Sequence, residues 1–311
     1  MYRKNARKGL SRTDLIACLV LCLLLLLLVP PLFSGSQKQA ERTRCRSNLS
    51  KLAKAILVYA NDYENALPRA GGPTTQWGKT PNWMGTSRYT AFGMAADLTG
   101  GSASIGASLY LLVKYAEAPT VWFVCPADKG TTEFRLDKLS RPVPPTYELI
   151  DAWDFGPQSE AWKHSSYAYQ IPYEPNALTL SRDPNMAVLA DRNPWIKSPA
   201  AEPASFGDFQ PDIRPWSGSA EQARAGNAIT HESDGQNVLF LDGRVTFETR
   251  PYCAVARDNV YTVSTMPFSG HPMGMIPVVG PGLRPSNDLD SVLVHDSGLL
   301  IGSPASSDRR R

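Results

Sequence analysis

The sequence predicts an α+β protein: a long N-terminal helix, with a transmembrane half and an amphipathic half, packed on an antiparallel β-sheet with long loops. Three observations carry this. An uncharged apolar run follows a basic leader. A helical stripe of apolar residues comes next, and later two β-rich segments flank Asp242-Gly243.

The chain has 311 residues and a formal net charge of +3. That length allows one large domain or two small ones beside a membrane segment. The small charge argues against a general nucleic-acid partner.

Arg3, Lys4, Arg7, Lys8 and Arg12 precede the apolar run, with no acid before Asp14. Leu15 to Phe33 is uncharged. At about 1.5 Å per residue, such a run crosses most of a ~30 Å hydrocarbon core. Basic residues on the N-terminal side place that end in the cytoplasm. The expectation is a leader over 1–9, a retained transmembrane helix over 10–33 and an amphipathic extension over 34–65. An extracytoplasmic, loop-rich β domain over 66–302 and a disordered basic tail over 303–311 follow. The expected localisation is the cytoplasmic membrane, single-pass, with the N-terminus inside and the lipid bilayer as a partner. A cleaved signal peptide is the alternative.

In the extension, Leu49, Leu52, Ala53, Ile56, Leu57 and Ala60 recur at helical spacing, marking a face that packs on the sheet. Pro68 and Gly71-Gly72-Pro73 end the helix. Residues 69–105 lack periodicity and read as loops, and Ala107 to Tyr115 reads as a short helix. Val121 to Val124, Ser166 to Gln170 and Ala187 to Ala190 read as strands. Asn237 to Leu241 and Arg244 to Glu248 flank Asp242-Gly243, predicting a hairpin over 237–248 closed by a type I′ turn.

Cys18 and Cys22 fall inside the apolar run; Cys45, Cys125 and Cys253 lie beyond it. Two of these last three can form a disulfide outside the cytoplasm, and sequence leaves the pairing open. No CxxC pair and no His at zinc-ligand spacing is present, so a structural zinc is not expected. Among hard cations only Ca²⁺ finds a weak candidate ligand, in Asp234. Trp77, Trp83, Trp153 and Trp162 read as pins of loops to the core, with glycan stacking as the alternative.

Two groups of motifs resemble a known family. The first is the segment around Gly9, Leu10 and Asp14, which resembles the cleavage and methylation region of type IV prepilins and pseudopilins. The second is a set of blocks further along. They are Cys45-Arg46-Ser47-Asn48-Leu49, Phe123-Val124-Cys125-Pro126, Ser166-Tyr167-Ala168-Tyr169, Leu189-Ala190-Asp191-Arg192, and the stretch His231, Asp234, Gly235, Asn237, Asp242, Gly243. Together they resemble the prepilin-like, H-X9-DG-containing group of planctomycete bacteria. Here ten residues separate His231 from Asp242, one more than in that signature.

The resemblance implies a membrane-anchored structural subunit of a type II secretion or type IV pilus-like assembly, without catalysis or cofactor. Its implied partners are prepilin peptidase and like subunits. The alternatives are a tethered surface module binding Ca²⁺ or glycan, and a hydrolase using His231, Asp234 and Asp242. No G-x-S-x-G or HExxH motif supports the hydrolase.

Overall fold

A computed structural model describes residues 11–199, 202–203, 219–264, 274–278, 280 and 282–298, with the side chains of 24–34, 220 and 222 outside that description. Gly9, Leu10, the leader and the 303–311 tail therefore lie outside the described residues.

The chain opens with helix α1, Arg12–Asp62. Among the described residues no helix is long and apolar enough to cross a membrane. This corrects the transmembrane helix expected over 10–33 and the single-pass localisation built on it. Arg12 and Asp14 open the helix, and Lys38, Glu41, Arg42, Arg44 and Arg46 lie along its later turns. A span needs about 20 consecutive apolar residues. Among the described residues the architecture is α+β without that membrane half.

Two compact units divide the chain, Met1–Glu41 and Arg42–Arg311. In the second unit the elements after α1 are, in order, β1 (Gln76–Trp77), α2 (Arg88–Phe92), β2 (Ser102–Ala103), α3 (Ile105–Ala116), β3 (Tyr167–Gln170), β4 (Ala187–Asp191), α4 (Ala220–Arg224), β5 (Gln236–Phe240), β6 (Val245–Glu248), β7 (Val263–Ser264), β8 (Gly274–Met275) and β9 (Leu293–Val294). The main sheet has the order β6-β5-β4-β3-β9 with every neighbour antiparallel. β1 and β2 form a parallel pair, and β7 and β8 an antiparallel pair.

Both faces of the sheet are covered, so β3, β4 and β5 are buried throughout rather than alternately exposed, while the edge strand β6 is mostly half-buried. Tyr167, Tyr169, Leu189, Leu239 and Val294 join the core that holds α1 and α3. Ala168, Ala187, Ala190, Val238, Phe240 and Leu293 face a second core with Val260 and Tyr261. β4 breaks strict alternation. Val188 and Leu189 both belong to the α1 side, and the β4–β5 register shifts between Ala187 and Leu189. Side chains alternate with period two, so this bulge moves every later residue of β4 to the opposite face. Asp191 thereby turns toward α1.

On α1 the buried stripe is Cys45, Leu49, Leu52, Ile56 and Tyr59, with Ala53, Ala55 and Ala60 beside it. Leu57, assigned to the stripe from sequence, is about half exposed (48 %). Tyr59 takes the inward place and stacks on Tyr63 with ring centroids 4.1 Å apart. Helix α3 spans Ile105–Ala116 and is capped by the Ser104 hydroxyl, which accepts from the Ala107 N–H. The strand expected over 121–124 is instead a 3₁₀ turn, Thr120–Phe123. It follows Pro119 and buries Phe123 against Phe155.

The hairpin turn also differs from the type I′ expectation. Only Gly243 has positive φ (85°), the Gly243 N–H bonds the Phe240 carbonyl, and the Phe240 N–H bonds the Arg244 carbonyl. That pattern is a type I turn closed by a glycine bulge, a three-residue loop rather than a two-residue one.

Candidate metal centre

Four side chains from four distant segments meet at the contact between α1 and the sheet: Cys45, Cys125, Asp191 and His231. Cys45 is the inward residue one turn before Leu49 on the α1 stripe. Cys125 follows the 3₁₀ turn that ends at Phe123. Asp191 closes β4, aimed at α1 by the bulge. His231 ends the 3₁₀ turn Ile229–His231 that leads into β5. They are 0, 1, 0 and 5 % exposed respectively.

The ligand-type atoms all lie within 4.8 Å of one another. The Cys45 thiol donates to Asp191 Oδ1 at 2.8 Å. His231 Nε2 lies 3.2 Å from Asp191 Oδ2 and 3.8 Å from Cys125 Sγ. Asn237, on β5, donates its backbone N–H to Asp191 Oδ2 at 2.7 Å, with its amide nitrogen 3.3 Å from the same oxygen. Tyr167 is the cross-strand neighbour of Asp191, and its buried hydroxyl has no hydrogen-bond partner.

The electrostatics follow from burial against mutual contact. Burial acts to lower the His231 imidazole, but the Asp191 carboxylate and Cys125 outweigh it and push it up to about 10. Burial, then the neighbouring Cys125 thiol and the Asp191 charge, drive the Cys45 thiol well up. Cys125 goes the other way. Its contact with Cys45, helped by His231, holds it below the ordinary thiol value despite burial.

The other residues singled out from sequence disperse. Asp234 is gripped by Arg42 at 2.6 Å and Arg224 at 3.1 Å, so any cation there must displace two arginines. Asp242 pairs with Arg244 in the hairpin turn. Gly235 is pressed against β6, where an added Cβ would lie 2.4 Å from the Glu248 carbonyl oxygen. Asp14 accepts from the Ser11 N–H at 3.0 Å at the start of α1. Cys45, Cys125 and Cys253 are all free thiols, and Cys253 stands apart from the cluster. Trp77 and Trp153 are buried and donate to the Asp296 carboxylate and the Gly85 carbonyl.

A second polar group lies along an open cleft of about 1060 Å³ lined by Lys79, Trp83, Arg141, Asp154, Trp162 and Asp296. Asp296 accepts from the Ile105 and Gly106 N–H groups at the start of α3. Asp154 accepts from the Thr80 and Ser104 hydroxyls, both at 2.6 Å. Burial, and next the Asp296 charge, raise Asp154 to about 7. The unfolded chain loses this proton near the ordinary carboxyl value of 3.8, and the folded chain only near 7. The Asp154 contribution is thus fully present below about pH 4 and is lost as pH rises through about 7. Urea midpoints of the wild type are expected to fall over that window more steeply than those of Asp154→Asn. Parallel profiles would remove Asp154 as the cause.

No protein-family model, curated protein or solved structure gives a significant match to the chain. The resemblance to pseudopilins and type II secretion subunits gains no family support from these comparisons. The resemblance rests on the quoted motifs alone.

Proposed function

We propose that the chain is a non-catalytic structural subunit of pseudopilin-like kind that assembles with like copies through the apolar first part of α1. One observation carries this reading. Leu15, Ile16, Leu19, Val20, Leu21 and Leu23 are between 54 and 63 % exposed. With Ala17, Cys18 and Cys22, also exposed, they leave no charged side chain around this stretch of the helix, and a helix apolar all round is normally buried. Uncovered apolar surface of that kind marks an interaction site. Other copies of the same helix present the same chemistry.

The geometry of the buried cluster supports a non-catalytic role. In a Cys–His–Asp catalytic arrangement the acid holds one ring nitrogen and the other faces the nucleophile. Here Asp191 and Cys125 both meet His231 through Nε2, in a closed interior. The hydrolase set of His231, Asp234 and Asp242 is divided between this interior, an arginine pair and a turn.

Sedimentation of the full-length chain across a concentration series tests the proposal. Wild type is expected to self-associate. Leu19→Glu is expected to shift association to at least about tenfold higher concentration, because it sets a charge in the apolar contact. Its melting temperature should match wild type. A wild type that stays monomeric, or a Leu19→Glu variant that associates equally well, contradicts the reading.

A further inference from the structure

We propose that Cys45, Cys125, Asp191 and His231 form a closed tetrahedral site for one structural Zn²⁺. The donor set is two thiols, an imidazole and a carboxylate, which are the ligand types zinc takes in four-coordinate protein sites. Soft thiolates select against Ca²⁺ and Mg²⁺, which prefer shells of oxygen.

The spacing fits. Zinc bonds of about 2.3 Å to sulfur and 2.0–2.2 Å to nitrogen or oxygen imply tetrahedral edges of roughly 3.3–3.8 Å. The Cys125–His231 edge is 3.8 Å, and the 3.2 Å from His231 Nε2 to Asp191 runs to Oδ2, the oxygen that Asn237 holds. The Cys45–Asp191 edge, now a thiol hydrogen bond, is 2.8 Å and opens slightly when a metal replaces the proton. All four donor atoms lie within 4.8 Å of one another, so binding draws the widest pair together by up to about 1 Å.

An outer shell is already in place. Asn237 holds Asp191 Oδ2 through its backbone N–H and leaves Oδ1 toward Cys45. Zinc ligands are characteristically oriented by such outer hydrogen bonds. The Tyr167 hydroxyl, buried and without a hydrogen-bond partner, stands on the neighbouring strand opposite Asp191. Proton balance is simple: Zn²⁺ enters as the two thiol protons and any proton on His231 Nε2 leave to solvent. With all four positions filled by protein, no coordination site remains for substrate, and the ion acts as a staple. It ties α1 to β4 and to the segments carrying Cys125 and His231.

A Cys45–Cys125 disulfide is the competing use of these thiols, and it would leave Asp191 and His231 outside any shared bond. Titration of the reduced full-length protein with Co²⁺ separates the two. The expected result is one equivalent bound, with the intense visible bands of tetrahedral cobalt, a thiolate-to-cobalt charge-transfer band, and displacement of both by Zn²⁺. Cys45→Ser should weaken Zn²⁺ binding by more than about 100-fold, since loss of an outer-shell partner alone costs 10- to 100-fold. Cys253→Ser should leave it unchanged. The proposal is overturned if the reduced wild type develops no thiolate–cobalt band, or if the band survives in Cys45→Ser but is lost in Cys253→Ser. It is equally overturned if the isolated protein holds a Cys45–Cys125 disulfide and binds no metal after reduction. The wild-type spectrum decides without relying on any variant to fold.

Discussion

Replacing Asp128 by alanine is expected to destabilise the fold by about 3–5 kcal/mol, the range for removing one partner of a buried ion pair. Arg192 Nε donates to Asp128 Oδ2 at 2.7 Å, with the two side chains 3 % and 4 % exposed. The same guanidinium also donates to the Thr131 hydroxyl and to the Trp162 and Ser165 carbonyls. Those acceptors are neutral, so Asp128 supplies the compensating charge. Without it the guanidinium stays charged in the interior beside His295, whose imidazole burial, and then the Arg192 charge, already hold well below its ordinary value. Asp128→Ala combined with Arg192→Met should recover part of the loss, because the stranded charge is then gone. Urea denaturation of the single and double variants measures both effects. A loss under about 1 kcal/mol for the single variant would show that the pair behaves like a solvated surface bridge.

Leu52→Ala should cost about 2–5 kcal/mol, the range for truncating a fully buried leucine in a packed core. Leu52 is completely buried, within the cluster that joins α1 to α3 and the sheet. Lys54→Ala, two residues on and exposed, is the control and should stay within about 0.5 kcal/mol of wild type. The contrast tests whether the second part of α1 is a core element of the body. Equal, small losses at both positions would show that it is not.

The inward stripe on α1 could be read from spacing, because three- and four-residue steps repeat whatever surrounds the helix. Extending the stripe back one turn from Leu49 reaches Cys45. Leu57 misled because its apolar character does not reveal that Tyr59, at the next inward step, fills the place. The strands β3 and β4 were also readable from their β-rich composition. Asp242-Gly243 marked the hairpin but not its turn, since one positive φ at Gly243 suffices when a bulge adds a residue.

The buried cluster escaped because its members stand at positions 45, 125, 191 and 231, with no local spacing for a zinc pattern to find. What brings Asp191 to it is a bulge in β4, and a period-two reading of that strand turns the carboxylate the wrong way. A signal did exist. Each of four blocks that carry the family resemblance contributes one member, while the prominent Asp234 and Asp242 are held by arginines.

The central claim is that copies of this chain meet through the first part of α1, and Cys18 and Cys22 test it without any added label. Both are exposed on that helix, among the apolar side chains proposed to touch. Mild oxidation of the full-length protein in solution, read on a non-reducing gel, should give a ladder of covalent oligomers. The ladder should vanish in the Cys18→Ser, Cys22→Ser double variant and persist in Cys253→Ser. Wild type that remains monomeric under oxidation, at concentrations where it should associate, would contradict assembly through this helix.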